Sequence, residues 1–479
     1  MKNVLLKVSI CSIFLILLSY RLSFAQQTQN RTSDSLIAAS QTGAMPLIFS
    51  VNQSFGNFAV SDFKDEKEFS IRGGLPNFFS KAKSGKPLTI AYLGGSITRA
   101  DECYRMQFAA NLQNIYPTIV FKSINAGISG TGTDLGACRL QEQVLNYHPD
   151  VVFVEFAVNG GPNEAMEGII RQIIKHNPQT DICLIYTIYK AQTRYYSVGK
   201  YPPNIESLDK LAVHYNLPSI HLGMETSILE KEDKLVFAAA NPVLGKIVFS
   251  KDGVHPTQEG GNLYAAAMAR AFNKMKNGAA EITSHALPKP LLKGNWEDAH
   301  WYPFNANISF SKGWKEVGTD KVESFKQFNP WFSTVMQAEK AGEYLSFSFV
   351  GDAFGIFDIG GPEVGQLAIE LDGKKVKLVT TANARIAKAV YTDSIETALL
   401  NRFNINCNNR YRGQFDIVEV EAGKHQVKLF ISDRIADKKT ILGNNVNDIT
   451  LHPAKYDQTK IYLGRLLIRG ELESLKHEK

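Results

Sequence analysis

Cysteine is scarce in this chain: five in 479 residues, one of them, Cys11, inside an apolar N-terminal run. Cys103, Cys138, Cys183 and Cys407 are too few for a disulfide scaffold, and none sits with histidine at a spacing that holds structural zinc. Cys183 falls in an apolar strand pattern and reads as core, which leaves Cys103–Cys138 as the one pair to consider as a bridge. Long apolar runs are as rare. Beyond residues 8–18 no stretch approaches the roughly 20 residues that span a bilayer, so no transmembrane anchor is expected. There is no internal repeat of fixed period. A large excess of one charge is also missing, with 53 Lys+Arg against 47 Asp+Glu and a net charge of +6.

The first 25 residues reduce that small excess further. Lys2 and Lys7 precede the apolar run, and Ser23-Phe24-Ala25 precedes Gln26, the form of a secretory signal cleaved after Ala25. Arg21 interrupts the run too early for a membrane span, and Ile10 stands before Cys11 where a lipoprotein carries a small residue. Removing residues 1–25 takes away Lys2, Lys7 and Arg21 and no acid, so +6 falls to +3. A nucleic-acid partner loses its electrostatic basis. The expected location is secreted or periplasmic.

What is present is a chain of ordinary apolar content, 44% hydrophobic and 21% charged, which excludes wholesale disorder. Its length calls for two or three domains. The expected divisions are a signal over 1–25, a leader and N-terminal extension over 26–74, an α/β domain over 75–285 and a β-domain over 295–479. Residues 46–71 hold short alternating stretches that suit edge strands. From residue 87, apolar strands alternate with helices: strands near 88–93, 121–126, 150–156, 182–188 and 219–222, and helices near 104–115, 135–145, 164–176, 205–214 and 260–275. That alternation predicts an α/β fold with a parallel sheet covered on both faces. Beyond residues 287–294 the period changes to two. Leu367, Ile369 and Leu371 alternate up to the hairpin signal Asp372-Gly373, and residues 425–431 and 462–468 alternate again. An all-β sandwich or jelly roll is expected there.

In open α/β sheets, function gathers beyond the carboxyl ends of the strands. Gly94-Gly95-Ser96-Ile97-Thr98 follows the first strand. A serine on such a turn can cap a helix or expose its hydroxyl near a positive helix N-terminus. The elbow G-x-S-x-G is absent, because Thr98 replaces its last glycine. Gly127-Ile128-Ser129-Gly130-Thr131-Gly132, running on to Gly136, follows the second strand. Its glycines are one residue too widely spaced for a dinucleotide fingerprint, and Glu155 lies inside the next strand rather than at its end. The loop offers free N–H groups to an anion instead. Asn159 follows the third strand, either as a turn former or as an amide donor to a developing oxyanion. Asp252-Gly253-Val254-His255 precedes the last helix and supplies the imidazole and carboxylate that a nucleophilic serine needs.

Taken in order, Ser96, Gly130, Asn159 and the Asp252/His255 pair resemble the four sequence blocks of the SGNH, or GDSL, hydrolase superfamily over residues 87–276. The resemblance implies a flavodoxin-like three-layer domain and acyl-ester hydrolysis with no metal and no organic cofactor. It assigns Ser96 as nucleophile, His255 as base and Asp252 as its orienting carboxylate. The oxyanion hole would comprise the backbone N–H groups of Ser96 and Gly130 and the Asn159 side chain. Two family aspartates are replaced: Gly-Asp-Ser becomes Gly94-Gly95-Ser96, and Gly-x-Asn-Asp becomes Ala157-Val158-Asn159-Gly160.

Arg105, Arg194, Tyr195, Tyr196 and Tyr201 are the candidate substrate contacts, as tyrosines beside cations suit sugar faces. Trp301, Trp314, Trp331 and Tyr411 are the candidates for exposure in the β-domain. With the appended β-domain, the chain is similar to carbohydrate esterases that remove O-acetyl groups. An acylated carbohydrate is therefore the expected partner, and oligomeric state is left open. Two alternatives stand beside this reading. One is a carbohydrate O-acyltransferase using the same serine, and the other is a non-catalytic carbohydrate-binding protein.

Overall fold

Near-continuous apolar runs explain the strands of the first half, because a strand buried on both faces has no polar row to alternate with. In the computed structural model, seven strands form one sheet: β1 (Ile48–Phe49), β2 (Phe69–Ser70), β3 (Leu88–Gly94), β4 (Phe121–Gly127), β5 (Val151–Glu155), β6 (Asp181–Tyr186) and β7 (Ser219–His221). The described residues are 44–277, 281–304, 307–394, 398–408 and 413–474. The expected signal, most of the leader, and Tyr411 lie outside them.

The order across the sheet is β1-β4-β3-β5-β6-β7-β2. The five inner strands pair in parallel and run 2-1-3-4-5 in chain order. The short strands from the N-terminal extension close both edges antiparallel, β1 on β4 and β2 on β7. The order reverses at β3, so a crevice opens beyond its carboxyl end. Helices Arg105–Ile115, Thr133–Gln143, Asn163–His176, Pro203–His214 and Gln258–Asn277 join or follow these strands. Residues 223–257 carry structure for which the sequence pattern gave no expectation: helix Gly223–Lys231 and a parallel pair, β8 (Leu235–Ala238) and β9 (Ile247–Ser250). No helix among the described residues is long and apolar enough to cross a membrane.

The second half is β-rich. Its strands are β10 (Ala299–Pro303), β11 (Ser309–Phe310), β12 (Lys315–Gly318), β13 (Thr334–Ala338), β14 (Tyr344–Ile359), β15 (Gln366–Leu371), β16 (Lys374–Thr380), β17 (Ile386–Tyr391), β18 (Leu399–Asn401), β19 (Gly413–Ile431) and β20 (Ile461–Leu472). Long strands β14 and β19 pair along almost their whole length, with a register shift at Gly351/Ala353. The first part of β19 also pairs with β17 and its last part with β15. Asp372 and Gly373, both at positive φ, make the turn between β15 and β16, as a two-residue hairpin of this type requires. Leu345, Phe347, Phe349, Val427, Leu429 and Ile431 point into a core of this region's own.

A second buried cluster runs from the α/β sheet through Trp296 and Trp301 to Phe357 and Leu467, so the two regions share apolar packing. Polar contacts pin the joint. Glu142, on helix Thr133–Gln143, accepts from Trp301 Nε1 at 2.6 Å and pairs with Arg465 at 3.0 Å. Glu167 accepts from the backbone N–H groups of Leu291 and Leu292, and Gln172 donates to the Trp296 carbonyl. The tryptophan expectation is corrected: Trp301, Trp314 and Trp331 are all buried, because stacking and interface packing consume their faces.

Candidate active site

β3 ends at Gly94, and Ser96 opens the single turn Ser96–Arg99 directly beyond it. On the far side of the crevice, β9 ends at Ser250 and a tight turn leads into helix Gln258–Asn277. Asp252 builds that turn by accepting from the N–H groups of Val254 at 2.9 Å and His255 at 2.8 Å and from Ser250 Oγ at 3.0 Å. The same carboxylate reaches His255 Nδ1 with its other oxygen at 2.6 Å, and His255 Nε2 lies 2.7 Å from Ser96 Oγ. Three side chains separated by up to 159 positions are thereby joined in one hydrogen-bonded line. Burial raises the Asp252 carboxyl, but the His255 ring, the two backbone N–H groups and the imidazole charge outweigh it. The group is held well below the usual carboxylate range. A carboxylate that stays ionised fixes one tautomer of His255, with Nδ1 as donor and Nε2 free to accept from serine.

Gly130 sits at φ +69°, where a side chain would be strained. Asn159 packs its carboxamide so closely on Gly95 that a Cβ there would overlap Asn159 Oδ1. Asn159 Oδ1 is buried with no hydrogen-bond partner. Gly130 and Asn159 line a cavity of about 780 Å³ whose other wall comes from the connecting segment and the β-rich half, including Trp296, Asn383 and Arg385. Ser96 and His255 are not in its lining. Ser96 is only 6% exposed. Asn383 Nδ2 donates to Asp134 Oδ2 at 3.2 Å, which ties the β16–β17 hairpin to the N-terminal turn of helix Thr133–Gln143. The Arg385 guanidinium lies over the Phe415 ring at 4.7 Å. Among the described residues no three His, Cys, Asp or Glu side chains gather as metal ligands.

No family model and no curated protein matches the sequence. Among solved structures, the chain is similar to a two-domain esterase active on acetylated mannans, at 19% identity, over 89% of this chain and 100% of that one, with a TM-score of 0.58. The form of that esterase co-crystallised with mannopentaose gives 19%, 90%, 100% and 0.57. This chain has that fold. An acetyl xylan esterase from Geobacillus stearothermophilus matches 39% of this chain and 95% of its own, at 20% identity and a TM-score of 0.31. The likeness to that two-domain fold runs across both halves of the chain.

Several expected contacts are corrected. Arg105 is wholly buried, donates to the Thr98 and Arg99 carbonyls and pairs with Asp101, so it has no surface to offer a substrate. Tyr196 is buried too, its hydroxyl 2.9 Å from His221 Nδ1. Tyr201 stacks on His221 at 4.1 Å and donates to the Lys67 carbonyl. Arg194 lies over the Tyr195 ring on the surface, and none of these five residues lines the cavity. The considered bridge is absent: Cys103 and Cys138 are both free, buried thiols, with Cys103 turned toward the Pro256 carbonyl and burial pushing both thiols up.

Sequence reasoning missed Asn383 and Arg385, because nothing in a polar hairpin loop announces which distant surface it will face. It also passed over Arg139, a fully buried arginine on helix Thr133–Gln143, and met Glu155 only as a failed fingerprint residue. A charge inside the apolar strand Val151–Glu155 was the available signal, since buried charges concentrate at sites.

Proposed function

We propose that this chain is a serine esterase that hydrolyses O-acyl groups, O-acetyl above all, on a polysaccharide. The observation that carries the reading is the line from Ser96 Oγ through His255 to Asp252, at 2.7 and 2.6 Å. Ser96 Oγ attacks the ester carbonyl while His255 Nε2 takes its proton. Charge on the carbonyl oxygen is met by the N–H groups of Ser96 and Gly130 and the Asn159 amide. His255 then protonates the sugar oxygen as its bond to the acyl carbon breaks, and water, deprotonated by the same nitrogen, attacks the acyl-serine, releases the acid and restores Ser96. Asp252 holds the ring and offsets the imidazolium charge throughout.

The strand order 2-1-3-4-5 supports reading the α/β half as the three-layer SGNH arrangement, spanning residues 75–285. The buried core of the β-rich half supports reading residues 295–479 as an accessory β-domain, of sandwich type, that walls the substrate cleft. The neighbour's activity on acetylated mannans supports a carbohydrate ester as substrate. Residues 1–25 are read as the export signal.

Acetate release from an acetylated nitrophenol and from several acetylated polysaccharides, by the native chain and Ser96→Ala, tests this. Serine-dependent release into water is expected. Release only when an alcohol acceptor is present would make the chain an acyltransferase. Glycan binding without release would make it a binding protein.

A further inference from the structure

The loops that carry Gly130 and Asn159 are laced together at Thr133. Its N–H donates to the Gly160 carbonyl at 3.0 Å, and its Oγ1 donates to the Pro162 carbonyl at 2.8 Å. The approach is so close that a Cβ on Gly132 would lie 2.6 Å from the same Gly160 oxygen. The two loops are therefore held as one piece, and the next residue along the chain is Asp134. Asp134 is 1% exposed in the first turn of helix Thr133–Gln143, where one carboxylate oxygen accepts from the Leu135 N–H at 2.9 Å. Its other oxygen accepts from Asn383 Nδ2 of the β-rich half at 3.2 Å. Burial raises the Asp134 carboxyl, and the Leu135 N–H, the Arg385 charge and Asn383 act against that rise. The hairpin tip that presents Asn383 is stiffened by bonds of its own. Thr381 Oγ1 donates to the Ile386 carbonyl at 2.7 Å and accepts from the Asn383 N–H at 3.2 Å. Asn383 Oδ1 accepts from the Arg385 N–H at 3.0 Å, which fixes the amide and turns its NH₂ group to Asp134.

We propose that Asn383 and Asp134 are positioning residues through which the β-rich half sets the Gly130 and Asn159 donors. The β-rich half then contributes to turnover even of an ester too small to touch it. The inference rests on the esterase reading of the site. Location separates this contact from a plain joint. The two halves are pinned elsewhere, by Glu142 with Trp301 and Arg465 and by Gln172 with the Trp296 carbonyl. Asn383 acts instead on a buried carboxylate of the cavity wall, four residues after Gly130. Without that donor the outer carboxylate oxygen of Asp134 is left buried and unsatisfied, a costly state. The carboxylate then turns to find water and draws the helix start and the Gly130–Thr133 loop with it. A displacement of about 1 Å at such donors costs on the order of a hundredfold in rate.

Asn383→Asp sets a second carboxylate against Asp134, and like charges at a buried site repel. It is expected to lower kcat on a small acetylated phenol by about 10- to 100-fold, with KM within about twofold. Adding Asp134→Asn to it restores the hydrogen bond with donor and acceptor exchanged. In that double variant kcat is expected to return to within about threefold of the native value. A contact that merely joins the halves would leave kcat on the small ester untouched in both. Native kcat in folded Asn383→Asp, or no recovery in the double variant, would overturn the proposal. Should Asn383→Asp fail to fold, Asn383→Ala removes the donor without adding charge and is judged by the same loss. Amide hydrogen exchange over residues 128–136, read by mass spectrometry, needs no turnover. It is expected to quicken by about threefold or more in Asn383→Asp and to slow again in the double variant. Unchanged exchange would overturn the coupling. That readout is independent of the chemistry, so it still decides the inference if an active Ser96→Ala shows the esterase reading to be wrong.

Discussion

Both halves of the molecule bury arginines completely, and two of these, Arg402 and Arg139, are used in different ways. In the β-rich half, Arg402 forks onto Asp358 at 2.7 and 2.8 Å and pairs with Asp416, and Gln414 caps the neighbouring Arg402 carbonyl. In the α/β half, Arg139 is buried with no opposite charge among the described ion pairs and donates to the Ala126 and Gly94 carbonyls, while the buried Glu155 accepts from Thr98 and Thr187. A paired buried charge holds chain segments together at little net gain. An unpaired one is tolerated where it orients something, and Arg139 holds the carboxyl end of β3, just ahead of Ser96. The two halves meet at helix Thr133–Gln143. That helix carries Asp134 toward the hairpin, Arg139 beneath Ser96 and Glu142 toward Trp301.

The largest effect expected falls wholly on the α/β half. Asp252→Asn keeps the turn's shape and loses the charge that fixes the His255 tautomer, so kcat should drop by about 10⁴-fold, measured by steady-state acetate release at an unchanged fold. A loss under tenfold would remove Asp252 from the relay. Next, Asn159→Ala should cost about 10²–10³ in kcat with fold retained; unchanged turnover would take Asn159 out of the oxyanion site.

A third prediction concerns stability in the same half. His221 is buried at the end of β7, and burial lowers it to about 4, with Arg72 adding to that and Asp209 opposing it. The unfolded chain binds this proton near pH 6.5. Between about 6.5 and 4 the unfolded state therefore holds more protons, and stability falls as the pH drops through that window. The fall attributable to His221 is about 3 kcal/mol. Urea midpoints across that range should show the slope, and His221→Gln should flatten it; parallel slopes would mean His221 is not the titrating group. The smallest effect tests how far the β-rich half reaches. Arg385→Ala should raise KM for an acetylated polymer roughly tenfold, about 1.4 kcal/mol, while leaving kcat on a small acetylated phenol unchanged. Equal KM values would make the hairpin a bystander to binding.

Much of this molecule was legible before its coordinates. The strands of the parallel sheet betray themselves by unbroken apolar runs, and their ends point to Ser96, Gly130 and Asn159 because a parallel sheet gathers its loops at one edge. Asp252 and His255 could be read because one local turn holds both. Substrate contacts could not. Arg105 and Tyr196 carry the right chemistry in sequence, yet each is drawn inward by partners more than a turn away, Thr98 and Asp101 for one and His221 for the other. The tryptophans failed for a related reason: a large ring is exposed or buried according to what docks on it, and here the α/β half and neighbouring rings do. Asn383 and Arg385 depend on how two regions meet, which no local pattern encodes.

On the proposed mechanism Ser96 carries the acyl group during turnover. Rapid quenching of the native chain during turnover of an acetylated sugar, followed by peptide mapping, should find acetyl on the peptide containing Ser96 and nowhere else, and Asp252→Asn should slow its appearance. Acetate release without any acetylated Ser96, or with acetyl on another residue, would contradict the account.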